Sequence, residues 1–434
     1  MPCENGKLLW KSHLEKLPVT NEIRESLLTL FRKRRLGSWV IFSSTLLVVL
    51  ISVTMVIFPT LVLRSFGGII EYSGIEPFET GIFAHIILIA DVIIFGIVIL
   101  YFKNKLPQFL INSVRFIFDF EVSAKIAFFI ILIILGCYVV FTISELSTAE
   151  EWPDYYNRVK PILDNWTITS SKGVDQHVTL ILLSTSLKIL HNGKAIPFIA
   201  SIAMLLITYL LTAEITKKRF AGILSMVIVL QSGTFLIYDT TAAYPNFWVL
   251  FYILSLYLCY KQWPVSPISF ILSILSKLNA ALFLPMTFFF TYDSDMPKQK
   301  KIRITAMYSA IAILGIITIL VGTKISFWGD TATVNEFQLH DFWKAFNAIS
   351  YQLRFDVLIL ILLLPLTIGL GIVSRRKIAH ANSILFLMIG AILSQPFLAA
   401  FTVVSSEPYR FMPLIIFCAI GVGVLFSKKA SQPV

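Results

Sequence analysis

The residues best suited to chemistry lie in an acidic and aromatic segment, Glu145–Arg158, which follows a long apolar run. It contains two carboxylates of interest, Glu151 and Asp154, with Tyr155 beside them. A carboxylate within hydrogen-bond reach of a hydroxyl can take its proton and turn it into a nucleophile. Aromatic residues also collect at membrane interfaces without any catalytic role, so an inert interfacial belt is the competing interpretation.

Side chains suited to binding an anion come later, each at a predicted helix end or break. Arg410 carries a planar guanidinium that can hold a phosphate through two hydrogen bonds. Lys277 interrupts an apolar run, where a charge is costly unless it faces a wet or protein-lined cavity. His177 is a third candidate for phosphate contact. A snorkelling arginine and a solvated histidine are the alternatives. Further polar candidates share the predicted outer helix ends: Asp175, Asp239, Tyr244 and Tyr409.

Most of the chain consists of long apolar runs separated by short charged segments. Of its 434 residues, 57% are hydrophobic and only 14% are charged, and the mean hydropathy is +0.80. Soluble domains carry about 25% charge. Because backbone polar groups in hydrocarbon must be satisfied within their own segment, these runs predict an all-α, polytopic integral membrane protein with about ten spans.

The predicted spans follow the apolar runs 38–60, 81–102, 124–144, 196–213, 220–238, 247–260, 304–323, 355–373, 380–402 and 411–427. The positive-inside rule places the intervening basic groups in the cytoplasm. A single crossing by 265–291 would put the cluster Lys298–Arg303 outside. A re-entrant helical hairpin, broken near Ser276–Asn279, keeps that cluster inside and gives Lys277 a protected place.

This topology divides the chain into four parts. Residues 1–37 form a basic cytoplasmic tail whose second half is either an interfacial helix or an ordinary basic flank, 38–123 a two-span element, 124–427 the main membrane domain, and 428–434 a second tail. The longest outer segment is 145–195. The net charge of +11 agrees with the positive-inside bias and with attraction to anionic lipids. Nucleic-acid binding is not expected, because no soluble basic domain is evident.

Five short motifs follow one another along the chain: Glu151-Trp-Pro-Asp154-Tyr155-Tyr156, Asp175-Gln-His177, Thr216–Gly222 with Tyr238–Tyr244, Ser273–Lys277 with Leu-Pro285, and Tyr409–Pro413. Their order resembles that of the GT-C superfamily of glycosyltransferases, which use polyprenyl-phosphate-linked sugars. The likeness is strongest to the branch of protein O-mannosyltransferases and aminoarabinose transferases, and it covers roughly residues 124–427.

The chain also departs from the family pattern. The stretch Val178–His191 is amphipathic and is predicted to be a helix on the membrane surface. The arginine that the family usually has after its surface helix is missing here, with Lys194 and Pro197 nearby instead. Ala243 stands where the outer turn of the family has an arginine, and the prolines after His177 are absent.

The resemblance implies that Asp154, with Glu151 beside it, acts as general base in an inverting transfer. The sugar, a hexose such as mannose, would pass from a lipid-linked donor to a glycan, lipid or protein acceptor at the outer face. Arg410, with Lys277 or His177, would stabilise the departing lipid phosphate. A divalent cation at Asp154 is compatible with the superfamily, but the sequence does not require one. The expected location is the cell membrane, or the endoplasmic reticulum in a eukaryote.

Two other classes of function are compatible with the sequence. A transporter or flippase predicts charges along a path through the helices, whereas the intramembrane charges here are few, mainly Asp91 and Lys277. The polar candidates collect at one surface, which favours an enzyme with a one-sided site. A non-catalytic membrane partner subunit is the third possibility, which the missing family residues leave open.

Overall fold

The computed structural model describes residues 21–61, 78–103, 105–164, 176–320, 326–327, 330–331, 336–376, 378–401 and 407–427. This part of the chain is helical except for one antiparallel pair of two-residue strands, β1 (Ser326–Phe327) and β2 (Asp330–Thr331). The predicted site residue Asp175 lies outside the described residues.

Roughly the first half of the chain contains α1 (Asn21–Ile57), α2 (Ala84–Phe102), α3 (Gln108–Asp119), α4 (Ala124–Thr142), α5 (Lys160–Asp164), α6 (His177–Leu190), α7 (Ala195–Thr216), α8 (Arg219–Leu230) and α9 (Gly233–Tyr238). A 3₁₀ turn, Ile143–Ser147, follows α4, and a π-helical turn, Tyr155–Val159, precedes α5. Ser123 caps α4 by accepting the Ile126 N–H.

The second half contains α10 (Phe247–Lys261), α11 (Ser266–Ser276), α12 (Leu284–Asp293), α13 (Lys298–Leu320), α14 (Leu339–Gln352), α15 (Val357–Arg375), α16 (Ala381–Ala399) and α17 (Met412–Leu425). Short 3₁₀ turns precede α12, α15 and α17, at Leu278–Phe283, Leu353–Phe355 and Pro408–Phe411.

Within the described residues, seven helical segments are long and apolar enough to cross a membrane: Leu36–Ile57, Ala84–Tyr101, Ala124–Ser147, Ala195–Thr216, Val357–Arg375, Ala381–Ala399 and Pro408–Leu425. Each overlaps one of the predicted spans, which confirms a helical, membrane-embedded protein. The predicted span 247–260 corresponds to α10, whose 15 residues measure about 22 Å, less than the ~30 Å hydrocarbon core.

The predicted span 220–238 is divided into α8 and α9. The division occurs at Ser232, whose hydroxyl accepts the Phe235 N–H at 3.0 Å and so caps α9. The same hydroxyl donates to the buried carboxylate of Asp356, which in turn caps α15 by accepting the Ile359 N–H at 3.1 Å. One serine–aspartate pair therefore satisfies the starts of two helices.

The centre of the bundle is α17, because 78% of its span is buried inside the protein. Glycines let it approach its neighbours closely. A Cβ added at Gly423 would lie 2.4 Å from Thr212 Cγ2 and 2.6 Å from Ser225 Oγ. Small residues at such crossings bring helix backbones together in membranes, where lipid supplies no hydrophobic drive.

The first helix packs into the same core. Thr45 Oγ1 donates to the Leu385 carbonyl oxygen at 3.3 Å, and the hydroxyls of Ser52 and Ser350 lie 3.1 Å apart. The first contact joins α1 to α16 across 340 residues of sequence, and the second joins α1 to α14 across 298 residues. Thus α1 packs as part of the same helix bundle as α14 and α16.

The segment after α10 reverses direction. Ser266 Oγ donates to the Ser255 carbonyl oxygen at 2.8 Å, and Ser273 Oγ donates to the Trp248 carbonyl oxygen at 2.6 Å. Since Trp248 begins α10 and Ser255 lies further along it, α11 runs antiparallel to α10.

The next helix, α12, returns alongside α10. The ring centroids of Phe283 and Trp248 are 5.8 Å apart, and those of Phe290 and Tyr260 are 6.1 Å apart. The segment 266–293 therefore enters and leaves at the same end of the bundle, as expected for a re-entrant hairpin. Its predicted break is confirmed at Lys277, whose backbone is extended between α11 and the 3₁₀ turn.

Basic groups meet at the end where the hairpin enters and leaves, which we call the basic end. Lys300 Nζ donates to the Tyr260 carbonyl oxygen at 2.7 Å, and the Tyr260 hydroxyl bonds the His380 ring. The Arg375 guanidinium lies 3.9 Å from the centre of the Trp39 ring. The predicted cytoplasmic cluster Lys298–Arg303 and the basic residues at the end of α15 therefore lie at the same end of the bundle, as the re-entrant hairpin predicts.

This arrangement can be tested by labelling. In a chain lacking its four native cysteines, Gln299→Cys and Arg376→Cys should react with an impermeant maleimide from one side of the membrane. Asn157→Cys should react from the other side, since all three positions are exposed. If Gln299→Cys and Asn157→Cys were modified from the same side, the hairpin would have to cross the membrane.

Candidate active site

A cleft lies at the opposite end from the basic groups, and we call it the outer cleft. It is formed by α6, the turn after α9, the tip of the hairpin and the turn before α17. Its empty space, including the part open to solvent, is about 410 Å³. Predicted site residues among its lining are Tyr244, Lys277 and Tyr409.

The acidic segment fastens the turn that carries Tyr244. Glu150 accepts the Thr241 hydroxyl at 2.9 Å through one oxygen and the Ala242 N–H at 2.8 Å through the other. Glu145 accepts the Thr240 hydroxyl at 3.0 Å. Two carboxylates thus hold three consecutive residues of the turn, which fixes where the next side chains point.

Asp154 meets this turn through a direct hydrogen bond. The Tyr244 hydroxyl donates to Asp154 Oδ2 at 2.6 Å. Burial raises the pKa of Tyr244, and the hydrogen bond to Asp154 raises it further, so the phenol keeps its proton. Arg158 Nε lies 3.9 Å from the other carboxylate oxygen, but both side chains are substantially exposed and the pair is weak.

An aromatic cluster connects the carboxylate to the cations. The rings of Tyr244 and Tyr409 stack with centroids 4.5 Å apart and planes 16° apart. Trp152 stacks on Tyr238 at 5.1 Å and meets Tyr244 edge-on at 5.5 Å. Such ring pairs add roughly 0.5–1.5 kcal/mol each beyond their burial, so the cluster is a stiff base for the cleft.

The cation of Lys277 contacts Tyr409, the second ring of the stack. Its ammonium donates to the Tyr409 hydroxyl at 3.1 Å and lies 4.3 Å from the centre of that ring. The helix break at Lys277 allows its side chain to reach the cleft, whereas a continuous helix would leave it within an apolar run. The polar groups of the cleft therefore stabilise a charge that would be unfavourable in hydrocarbon.

Arg410 approaches the same tyrosine from the next position along the chain. Its guanidinium carbon lies 5.5 Å from the Tyr409 ring centre, and one guanidinium nitrogen donates to Gln395 Oε1. The same amide oxygen accepts Asn279 Nδ2 at 3.4 Å. Gln395 therefore ties Arg410 to the hairpin, next to the break at Lys277.

Asp239 supports the turn from below and does not line the cleft. It is 1% exposed, and its Oδ2 accepts the Tyr138 hydroxyl at 2.7 Å. Burial raises the pKa of Asp239 to about 7, with a smaller contribution from the charge of Glu145. This carboxyl therefore titrates near neutrality at the root of the turn.

Asp154 and Arg410 adjoin the cleft through Tyr244 and Tyr409 but are not among its lining residues. His177, which begins α6, does not line the cleft either, and Glu151 is exposed. Tyr155 packs in a small apolar cluster with Val159 and Leu183. Among the residues that the structure describes, no group of three or more histidine, cysteine or acidic side chains is arranged to hold a metal ion.

Two contacts were not anticipated from the sequence. Glu150 holds the turn, although Glu151 and Asp154 were singled out. Lys194 is 8% exposed and donates to the Glu145 and Ala149 carbonyl oxygens at 3.3 and 3.1 Å, and to Thr148 Oγ1 at 3.1 Å. Three acceptors satisfy its three protons. The sequence offered one signal, Lys194 itself, which lies shortly after α6.

The arrangement connects a proton acceptor to two cations through two rings. Asp154 accepts the hydrogen bond of Tyr244, while Lys277 and Arg410 lie next to Tyr409, the ring stacked on it. Such a site can remove a proton from one group and stabilise negative charge on another. No family model, no curated protein and no solved structure matches this chain.

The contacts of Glu150 predict a difference between adjacent acids. Glu150→Ala leaves the Thr241 hydroxyl and the Ala242 N–H without their acceptor, and should destabilise the protein by about 1–3 kcal/mol. The exposed Glu151→Ala should change stability by less than about 0.5 kcal/mol. Thermal unfolding of the purified proteins in detergent measures both. Equal effects would mean that Glu150 does not fasten the turn.

The raised pKa of Asp239 predicts a pH dependence of stability. The folded protein holds this proton up to about pH 7, whereas an unfolded aspartate releases it near pH 3.9. The stability that the proton contributes is therefore full below about pH 4 and is lost as the pH rises to about 7.

The matched variants are Asp239→Asn and Asp164→Asn. Over this pH range the fall in unfolding temperature should be smaller for Asp239→Asn than for the native chain. Asp164, which is exposed and paired with Lys160, should leave the fall unchanged when replaced. The same slope in all three proteins would contradict the assignment to Asp239.

Proposed function

We propose that this protein is a membrane-embedded glycosyltransferase that uses a polyprenyl-phosphate-linked sugar, and that the outer cleft is its active site. One observation carries the proposal. A carboxylate, Asp154, and two cations, Lys277 and Arg410, flank one pair of stacked tyrosines at the same end of the bundle. The resemblance of the motifs to the GT-C superfamily points the same way.

Asp154 would act as the general base. It is 41% exposed, so an acceptor hydroxyl can reach it from the aqueous side. Tyr244 occupies one of its oxygens at 2.6 Å and leaves the other available to a substrate, with Arg158 only loosely placed at 3.9 Å. A carboxylate fixed in this way can contribute about 10²–10⁴-fold to proton transfer.

Lys277 and Arg410 would hold the phosphate of the donor. Both groups are anchored, Lys277 on the Tyr409 hydroxyl and Arg410 on the Gln395 amide. Preorganised cations beside developing phosphate charge lower a barrier by a few kcal/mol each. The hairpin tip brings Lys277 to the cleft from within the membrane domain, where the apolar chain of a lipid donor would also lie.

The reaction would be a single displacement. The acceptor oxygen attacks the anomeric carbon, its proton passes to Asp154, and the bond between that carbon and the phosphate oxygen breaks. The lipid phosphate leaves with the bonding electrons and its charge is met by Lys277 and Arg410. Attack opposite to the leaving group inverts the anomeric centre. A hexose such as mannose is the sugar that the resemblance favours.

The described interior favours an enzyme over a transporter. Beneath the cleft lie aromatic rings that are fully buried, including Tyr252, Phe283 and Phe417. Their centroids are 5.1–6.2 Å apart, so this part of the interior is filled by aromatic rings and is not lined by charged groups.

The decisive test combines transfer with donor retention. Purified protein in vesicles would be given radiolabelled polyprenyl-phosphate mannose and cell membranes as the acceptor source. Asp154→Asn should lower transfer about 100-fold or more, while lipid-phosphate sugar should still co-purify and be seen by mass spectrometry. Asp164→Asn, an exposed acid further along the same segment, is the control and should keep native transfer.

The cations should behave differently from the base. Arg410→Met and Lys277→Met should lose the co-purifying donor as well as transfer. Near-native transfer by Asp154→Asn would remove it as the base. A native protein that neither retains a lipid-phosphate sugar nor transfers one would overturn the proposed function.

A further inference from the structure

A second surface concerns α3 (Gln108–Asp119), which plays no part in the outer cleft. It connects two candidate spans, since the span of α2 ends at Tyr101 and that of α4 begins at Ala124. None of its twelve residues is buried. A helix between the ends of two spans has to lie near the membrane surface, and this one measures about 18 Å.

The helix is attached at the basic end of the bundle. Lys218 Nζ donates to the Phe118 carbonyl oxygen, and Glu121 accepts the Arg219 N–H at 3.0 Å. The Phe118 ring stacks on Phe426 with centroids 4.7 Å apart and planes 17° apart. These contacts fix the C-terminal end of α3 against the start of α8 and the end of α17.

The two sides of α3 differ in chemistry. At 100° per residue, Leu110, Val114 and Ile117 share one face, while Gln108, Asn112, Arg115 and Asp119 share the opposite one. Two further rings, Phe109 and Phe116, are each 67% exposed. Such an apolar face left in water would be unfavourable by about 25 cal/mol per Å².

Charge around the helix indicates what covers it. Lys103, Lys105, Arg115 and Lys125 are all exposed at or beside α3, against the exposed carboxylate Asp119. Basic residues next to an amphipathic helix are attracted to anionic headgroups, each by about 1 kcal/mol near a charged surface. Lys103 and Lys125 also lie at the ends of candidate spans.

We infer that α3 lies in the plane of the membrane leaflet at the basic end, with its Leu110–Ile117 face in the acyl boundary and its basic neighbours on anionic lipid phosphates. The connection to two spans, the unburied apolar face and the positive charge all require the same occupant, a lipid surface. The helix rests about 5–10 Å into the interface. Because α3 is attached to α8 and α17, its contact with the headgroup layer also helps to hold the bundle in the membrane.

Spin labels on the full chain can test this placement. The native cysteines are replaced, and Ile117→Cys and Asn112→Cys are labelled in vesicles of phosphatidylcholine with phosphatidylglycerol. A label at Ile93→Cys, 55% exposed in the middle of α2, is the lipid-facing reference. Collision with oxygen relative to a water-soluble nickel chelate should be several-fold higher at position 117 than at position 112, and should approach the reference.

The alternative occupants give other results. If both labels collide freely with the nickel chelate, α3 faces water and the inference is wrong. If position 117 is protected from both reagents, protein covers the face, as a second copy of the chain would, and the inference is also wrong.

The role of charge is tested separately by lipid composition. Removing phosphatidylglycerol from the vesicles should make position 117 several-fold more accessible to the nickel chelate in the otherwise native chain. The combined variant Lys103→Gln, Lys105→Gln and Arg115→Gln should show no such response, whereas Asp119→Asn should keep it. A response that is unchanged in the triple variant would overturn the contact with anionic lipid.

Discussion

The structure depends on one constraint, that a charged ammonium cannot lie in hydrocarbon without a polar environment. Lys277 carries that charge in the middle of an apolar segment. The chain meets the constraint by breaking the helix at Lys277, so that α11 and α12 become the two limbs of a hairpin. The break has two consequences at opposite ends of the bundle. It delivers the ammonium to the Tyr409 hydroxyl in the outer cleft, and it returns the chain to the end where the basic clusters lie.

The outer cleft depends in turn on how the acidic segment is bound to the turn after α9. Glu145 and Glu150 hold Thr240, Thr241 and Ala242, and this leaves Tyr244 with its hydroxyl on Asp154 and its ring on Tyr409. Asp239 supports the same turn from the buried side. Carboxylates that look alike in the sequence therefore have different tasks. Two fasten the turn, one is buried at its root, and Asp154 combines an exposed carboxylate with a hydrogen bond from Tyr244. The proposed division between base and fasteners rests on this difference.

The sequence predicts those features that a single segment determines. Apolar length predicts the seven segments that are long enough to cross, and an isolated lysine in an apolar run predicts the break. It does not predict the division of 220–238, because the cause is Asp356, a residue 124 positions away from Ser232. Glu150 was missed for the same reason, since its partner Ala242 lies 92 positions away. The total of about ten spans stays a prediction, and so do the roles of the site residues. Composition and spacing report local preferences, whereas which of several neighbouring acids meets a distant backbone N–H is decided only by packing.

The two ends of the bundle solve different physical problems with the same residue types. At the outer end, Lys277 and Arg410 are held against an aromatic ring and an amide, where a low-dielectric surrounding strengthens their pull on an anion. At the basic end, Lys103, Lys105 and Arg115 are exposed, so that their attraction is shared among many lipid phosphates and is screened by salt. Between them, α17 is packed by glycines and aromatic rings and joins both surfaces, because Arg410 precedes its start and Phe426, which stacks on Phe118, follows its end. A rigid central helix of this kind fixes the distance between the cleft and the opposite leaflet. The depth of the proposed phosphate site in the membrane is therefore set by how α3 rests on the lipid surface at the far end.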